Sequence, residues 1–223
     1  MPAISTISAT SRTTSQATVR PRVVLVHGLF MGRHAMLFLA RQLKRSGFRV
    51  SCFAHNTITG SLERNAQRLA AFVQREQGPV VLVGHSLGGL VSLQSAGMLP
   101  AGDIAALVLL GSPYQGAQAG QALRRLLGPR STRIARALHE WSSQSDKPTV
   151  SVPVFTLAGT RSTGLGRVLC GFKEPNDGTV TVTETCYPNA VTAVMPVSHT
   201  GMLFDRHVAE QVVQWLRDLP TTH

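Results

Sequence analysis

The most informative segment of the chain is Val80–Leu90, which reads Val-Val-Leu-Val-Gly-His-Ser-Leu-Gly-Gly-Leu. It begins with a continuous apolar run, which is typical of a strand buried on both faces of a sheet. The run leads directly into the turn Gly84-His85-Ser86-Leu87-Gly88, and the residues from there to about Leu99 favour a helix. A strand, a Gly-x-Ser-x-Gly turn and a helix in this order indicate a strained turn that holds the Ser86 hydroxyl clear of the sheet edge.

This turn admits two other interpretations, a glycine-rich turn that only packs the helix against the sheet and a loop that binds phosphate. The segment contains neither Gly-x-Gly-x-x-Gly nor Gly-x-x-x-x-Gly-Lys-[Ser/Thr], which argues against phosphate binding. The helix behind Ser86 directs unpaired N–H groups and the positive end of its dipole at any anion that forms beside the hydroxyl. We therefore predict that Ser86 is a nucleophile.

Apolar runs and helical patterns alternate along the rest of the chain. Strands are predicted at Val23–Val26, Phe48–Phe53, Val80–Val83, Ile104–Leu110, Val152–Ala158 and Val191–Val197. Helices are predicted at about His34–Arg45, Ser61–Gln77, Leu87–Leu99, Gln118–Leu127, Thr132–Ser142 and Leu203–Leu219. This alternation predicts an α/β fold, namely a doubly wound, mostly parallel sheet of about six strands with helices on both faces.

The length of 223 residues and the hydrophobic fraction of 43% fit one domain, which we assign to residues 21–223. Residues 1–20 are rich in Ser and Thr, lack acids and show no periodicity, so we expect a disordered leader there. No secretory signal is recognisable in it, which favours a cytoplasmic protein and leaves organelle targeting and non-classical secretion open. The longest apolar runs are far shorter than the roughly 20 residues of a membrane helix, which excludes a spanning protein.

The charge of the chain is strongly basic, with 22 Lys and Arg against 11 Asp and Glu and a formal net charge of +11. Such a surplus favours acidic partners, but aromatic residues make up only 5% and do not interleave with basic ones, so no nucleic acid is expected. The segment 121–136 is a candidate for docking on an anionic membrane surface, and a solvated arginine face is the alternative. Its basic residues are Arg124, Arg125, Arg130, Arg133 and Arg136.

The cysteines suggest neither a disulfide scaffold nor a metal site. The chain has three cysteines, with no Cys-x-x-Cys and no His-Glu-x-x-His spacing, so we expect no zinc module. Cys170 and Cys186 lie on either side of Asp177 in the sequence, and a disulfide between them would cross-link the loop that carries Asp177. The odd number of cysteines and the absence of a signal peptide favour reduced thiols instead.

Several short segments of the chain together resemble one known family. They are His27-Gly28-Leu29, Gly84–Gly89, Gly111-Ser112-Pro113, Asn176–Val180 and Ser198-His199. In this order, from about Arg22 to the end of the chain, they resemble the α/β-hydrolase superfamily and, within it, the small bacterial lipases and esterases. The resemblance implies a minimal α/β-hydrolase core with residues 112–149 as a small helical cap. The two leading strands of a full-length family member have no counterpart here.

A serine hydroxyl is a weak nucleophile at neutral pH, so it needs a base within hydrogen-bond reach and an acid that orients the base. In this fold the acid follows the serine along the chain and the histidine comes last. Asp177 lies in a loop after the predicted strand Val152–Ala158, where the fold carries its acid. The alternatives are that Asp177 belongs to a simple Asn-Asp-Gly turn and that Glu174 is the acid.

The base must be a histidine that follows Asp177. His199 comes directly after the last predicted strand, at the edge of the sheet where ligands bind, and is the predicted base. His207 lies inside the predicted last helix and His223 ends the chain, so neither is favoured.

Acyl transfer also requires N–H donors for the tetrahedral oxyanion. One donor should be the N–H of Leu87, the residue after the nucleophile. The resemblance of His27-Gly28-Leu29 to the His-Gly-x segment of the family implies that the N–H of Leu29 is the other. Phe30, Met31 and Met202, together with Leu203, flank these loops as candidate acyl-pocket residues, and a place in the core is the alternative.

These residues predict a serine hydrolase that cleaves carboxylic esters of small molecules or lipids, of lipase or esterase type, through an acyl-enzyme. The Ser86-Asp177-His199 triad needs no cofactor and no metal. A thioesterase, amidase or acyltransferase on the same triad is the alternative, because the triad does not select the acyl donor. A non-catalytic binding module with this fold is a further alternative.

Overall fold

A computed structural model describes residues 21–57, 59–116, 118, 138, 141–163 and 172–220. Its strands are β1 (Arg22–Val26), β2 (Val50–Phe53), β3 (Val80–His85), β4 (Ile104–Leu110), β5 (Val154–Gly159) and β6 (Val191–Met195). They form one sheet in the order β2-β1-β3-β4-β5-β6, and every neighbouring pair runs parallel. The carboxyl ends of all these strands therefore lie at the same edge of the sheet.

The central strands are apolar throughout because both faces of the sheet are covered. In β1, the side chains of Val23 and Leu25 join one hydrophobic cluster, and those of Val24 and Val26 join a second. All these side chains are fully buried. Since successive side chains of a strand point to opposite faces, the two clusters form two cores, one on each side of the sheet.

The helices are divided between these two cores. They are α1 (Leu37–Arg45), α2 (Leu62–Val73), α3 (Leu87–Ala96) and α4 (Arg206–Arg217), with short 3-10 turns at Arg33–Met36, Thr183–Thr185 and Gly201–Leu203. Helices α1 and α4 cover one face, and α2 and α3 cover the other. The predicted fold class, a doubly wound parallel sheet of six strands with helices on both faces, is confirmed.

The ends of several elements differ from the sequence-based expectation because local hydrogen bonds set them. Helix α4 begins at Arg206 rather than Leu203, since Asp205 accepts hydrogen bonds from the N–H groups of His207 and Val208 and caps the helix there. Strand β6 ends at Met195, before Pro196, which has no N–H for the ladder. At the start of α2, by contrast, the structure agrees with the prediction: Ser61, where the predicted helix begins, accepts a hydrogen bond from the Arg64 N–H and caps the helix.

Several predictions concern residues outside the described ranges. These are the leader 1–20, most of the predicted helices Gln118–Leu127 and Thr132–Ser142, the basic residues of segment 121–136 and Cys170, and their predictions stay open. The described ends of segment 112–149 pack against the core: Trp141 is 1% exposed and donates its Nε1–H to the Tyr114 carbonyl oxygen across 2.9 Å. Among the helices in the described ranges, none is long and apolar enough to cross a membrane.

Candidate active site

Ser86 stands at the junction of β3 and α3 with a backbone φ of +53°, in a region that costs an L-residue roughly 1–3 kcal/mol. The turn is tight, as the motif predicts. A Cβ on Gly84 would lie 2.4 Å from the Gly89 Cα, and a Cβ on Gly88 would lie 2.2 Å from the Val26 carbonyl oxygen. Any side chain at either position would therefore clash with backbone, and the turn requires both glycines.

Asp177 and His199 form a buried acid–imidazole pair. Asp177 Oδ2 lies 2.7 Å from His199 Nδ1, and the aspartate is fully buried. Its Oδ1 accepts hydrogen bonds from the N–H groups of Thr179 and Val180, at 2.9 and 2.8 Å. The aspartate thereby holds the His199 Nδ1–H, and the imidazole keeps Nε2 as a lone pair that can accept a proton.

Two glycines leave room for this pair. Gly111, with φ of +55°, follows β4, and a Cβ there would lie 3.1 Å from Asp177 Oδ2 and 3.2 Å from His199 Nδ1. Gly159 ends β5, and a Cβ there would lie 2.7 Å from Asp177 Cβ. The segment around Gly111 was recognised in the sequence, whereas no motif pointed to Gly159.

The nucleophile turn and the His199 loop meet through His85. The His85 Nε2–H donates to the His199 carbonyl oxygen across 2.9 Å, and the two ring centroids are 4.7 Å apart. In the described ranges, no hydrogen bond joins the Ser86 hydroxyl to His199. Contacts of this kind are often long in unliganded enzymes and shorten when substrate binds. The fold thus brings Ser86, Asp177 and His199 to the same edge of the sheet.

The predicted oxyanion donors belong to two segments that adjoin Ser86. Leu87 is the first residue of α3, and Gly28, which precedes Leu29, packs against the serine: a Cβ on Gly28 would lie 3.2 Å from Ser86 Cβ. Within the part of the chain that the structure describes, neither the Leu29 N–H nor the Leu87 N–H has a hydrogen-bond acceptor. Both amides are therefore free to bind an oxygen atom of a ligand.

The candidate pocket residues have different environments. Phe30 is 57% exposed and has φ of +56°, so it stands out from the loop after β1. Met31 is half-buried against the core cluster, and Met202 and Leu203 are almost fully buried within it. Phe30 can contact a ligand directly, whereas Met202 can do so only where its methyl group lines the site beside Gly111.

The residues that the sequence analysis disfavoured lie in other contacts. Glu174 accepts a hydrogen bond from the Thr183 hydroxyl, and His207 is exposed beside Glu210. None of these side chains contacts His199.

His55 was missed by the sequence analysis. It follows β2 and packs against His27, with ring centroids 4.3 Å apart. Burial lowers the pKa of His27 and lowers that of His55 to about 4, so both are neutral at pH 7. Its position just beyond the carboxyl end of a strand was the signal that could have singled it out.

Metal ligation finds no support in this region. The described residues include no group of three or more His, Cys, Asp or Glu side chains that could hold a metal ion.

Comparison with solved structures finds the same fold in proteins of low sequence identity. A lipase of Bacillus licheniformis in its mature form superposes with a TM-score of 0.72 at 21% identity, over 88% of this chain and 92% of that one. A monoacylglycerol lipase of Paleococcus ferrophilus gives 0.61 at 16% identity, over 89% and 94%. Methylketone synthase I of tomato, complexed with 2-tridecanone, gives 0.63 at 16% identity, over 91% and 100%.

Comparison with curated protein sequences finds no match. The sequence profile of the alpha/beta hydrolase family, however, matches residues 23–220. That range includes the sheet except for its first residue, Arg22, as well as the turn around Ser86 and the Asp177–His199 pair. The resemblance recognised in the sequence is confirmed, and this chain belongs to the alpha/beta hydrolase family.

Proposed function

We propose that this protein is a serine hydrolase that cleaves carboxylic esters through an acyl-enzyme. The observation that carries the proposal is the buried hydrogen bond of 2.7 Å between Asp177 and His199, at the sheet edge that also holds Ser86 on its strained turn. A family fold alone does not define a reaction, so the argument rests on these side chains.

The reaction begins when His199 Nε2 takes the proton of the Ser86 hydroxyl while the oxygen attacks the ester carbonyl. Asp177 holds the Nδ1–H and stabilises the imidazolium that forms. The Leu29 and Leu87 amides bind the oxyanion of the tetrahedral intermediate. His199 then gives its proton to the departing alcohol, and water releases the acid from Ser86 by the same steps.

The alternatives differ in acyl donor or acceptor. A thioesterase, an amidase or an acyltransferase would use the same groups, because the triad activates a nucleophile without selecting its substrate. Two of the similar structures are lipases, which favours esters. A non-catalytic binding module is disfavoured because the nucleophile, the acid and the base of the triad are present in this chain.

A fluorophosphonate probe tests the proposal, because it labels only an activated serine. We expect the wild type and Ser145→Ala, which removes an exposed serine far along the chain from the motif, to be labelled, and Ser86→Ala not to be. Hydrolysis of p-nitrophenyl esters from acetate to palmitate then defines the acyl preference. Labelling that persists in Ser86→Ala would contradict the proposal, and labelling without ester hydrolysis would favour another acyl donor.

A further inference from the structure

His55 forms two hydrogen bonds with His27. Its Nε2 lies 2.8 Å from the His27 carbonyl oxygen, and its backbone N–H donates to His27 Nε2 across 3.4 Å. His27 Nδ1 in turn lies 3.0 Å from the Gly28 carbonyl oxygen. His27 and His55 are both buried, so these hydrogen bonds are shielded from water.

The acceptors decide which nitrogen of each ring carries the proton. A carbonyl oxygen can only accept, so His55 Nε2 and His27 Nδ1 are both protonated. Each neutral ring has a single N–H, which leaves His27 Nε2 as the lone pair that receives the His55 backbone N–H. With both rings neutral, each of these three hydrogen bonds therefore pairs one donor with one acceptor.

One atom of this arrangement is unsatisfied. His55 Nδ1 is buried and has no hydrogen-bond partner among the described residues. A buried polar atom without a partner destabilises the folded state, and Phe at this position would remove that atom but leave the His27 carbonyl oxygen without its side-chain donor. His55 also stacks on Phe53, with ring planes 12° apart, so an aromatic hydrocarbon suits the site. Phe would therefore exchange one unsatisfied polar atom for another, so stability alone does not favour a histidine at this position.

The hydrogen bonds of both rings act on the peptide groups around Gly28. The His27 carbonyl belongs to the peptide group before Gly28, and the Gly28 carbonyl belongs to the one after it. Each is bound by an imidazole N–H, so both backbone dihedrals of this glycine are restrained. Because a trans peptide group is planar, with its N–H opposite its C=O, holding the Gly28 carbonyl also sets the direction of the Leu29 N–H.

We propose that His55 is a positioning residue that acts through His27 to orient the Leu29 amide as an oxyanion donor. The proposal deepens the proposed function and rests on it. His55 does not touch the substrate; it binds the His27 carbonyl and ring, and His27 binds the Gly28 carbonyl, next to Ser86.

The test compares His55→Phe with His55→Gln in the full chain. Phe retains the ring and removes the donor, whereas the Gln amide nitrogen is as many bonds from Cβ as imidazole Nε2 and can restore the donor. For His55→Phe we expect kcat for p-nitrophenyl butyrate to fall at least about tenfold, since removing an oxyanion donor outright costs about 10²–10³. KM should change less than about twofold, Tm should change little because one unsatisfied polar atom replaces another, and His55→Gln should recover most of kcat.

An activity-independent measurement separates this proposal from the proposed function. The ¹H–¹⁵N resonance of the Leu29 amide should move in His55→Phe and stay near its wild-type position in His55→Gln. An unmoved Leu29 resonance, wild-type kcat in His55→Phe, or equal losses of kcat and Tm in both variants would overturn the positioning role. If Leu29 responds as expected but the wild type neither hydrolyses esters nor reacts with fluorophosphonate, the proposed function fails and the orientation of the amide by His55 stands.

Discussion

His85 donates its Nε2–H to the carbonyl oxygen of His199 across 2.9 Å. The residue before Ser86 thus holds the backbone of His199, and the two loops that carry these residues are joined by one hydrogen bond. Burial lowers the pKa of His85 to about 3, so this ring is neutral at pH 7. His85 therefore holds the His199 backbone as a neutral donor.

The first prediction concerns the pH dependence of stability. His27, His55 and His85 all have pKa values lowered by burial from 6.5, so below pH 6.5 the unfolded chain binds protons that the folded chain does not. The contribution of these neutral histidines to the free energy of unfolding is full above about pH 6.5 and is lost as the pH falls. For His55 the free energy of unfolding should fall by about 1.4 kcal/mol per pH unit down to its folded pKa of about 4.

Urea denaturation between pH 7 and pH 4.5 measures this slope. In His55→Phe the free energy of unfolding should fall less steeply with pH, by about 1.4 kcal/mol per pH unit. The variant removes one group that takes up a proton in this range only in the unfolded chain. A slope equal to that of the wild type would contradict the assignment of a neutral, buried His55.

The second prediction concerns Ser86. Ser86→Ala should abolish nearly all turnover. The remaining rate should be roughly 10³–10⁴-fold above that of the uncatalysed reaction in water, the level that remains when a triad member is removed. Tm should hardly change, since the partly exposed hydroxyl makes no hydrogen bond within the described ranges. Steady-state hydrolysis and thermal unfolding measure the two effects, and turnover at the wild-type rate would remove Ser86 from the mechanism.

The third prediction concerns the acid. Asp177→Asn should lower kcat by roughly 10⁴, because an amide no longer holds the Nδ1–H tautomer of His199. Glu174→Gln is the matched control and should have little effect, because Glu174 contacts Thr183 and not His199. A large loss in Glu174→Gln with activity retained in Asp177→Asn would show that the acid is misassigned.

The fourth prediction concerns Gly111. Gly111→Ala would put a methyl group 3.0 Å from the Met202 methyl carbon, next to Asp177 and His199, so we expect a drop in kcat as well as in Tm. Gly78 is the control, since it also has a positive φ, of +82°, but no atom within 4 Å of a Cβ. Both variants should lose about 1–2 kcal/mol from the left-handed backbone, and only Gly111→Ala should lose activity. Equal activity in the two variants would contradict crowding at the site.

Much of the fold could be predicted because buried strands and amphipathic helices have strong local patterns. Strand β4 has the predicted bounds, Ile104–Leu110, since its apolar run is continuous. The start of the last helix could not be predicted from periodicity alone, because the Asp205 N-cap sets it at Arg206, whereas the apolar pattern begins at Leu203.

The site was predictable where chain order and motifs carried the information. Asp177 and His199 were paired from their positions after strands, and their hydrogen bond agrees with that pairing. His55 was not found, because its contact with His27 depends on β2 lying beside β1. Only the parallel register that pairs Val26 with Phe53 brings these histidines together.

The hydrogen bonds around Asp177 also bear on chemical ageing. An Asp-Gly bond readily cyclises when the glycine nitrogen attacks the aspartate carboxyl carbon, because glycine offers no side chain to hinder the attack. Here the Gly178 N–H is bound to Asn176 Oδ1, and the Asp177 carboxylate is held by two backbone amides and His199. Conversion of Asp177 to isoaspartate should therefore require local unfolding, so the shelf life of the protein should follow the equilibrium population of the open form of this loop.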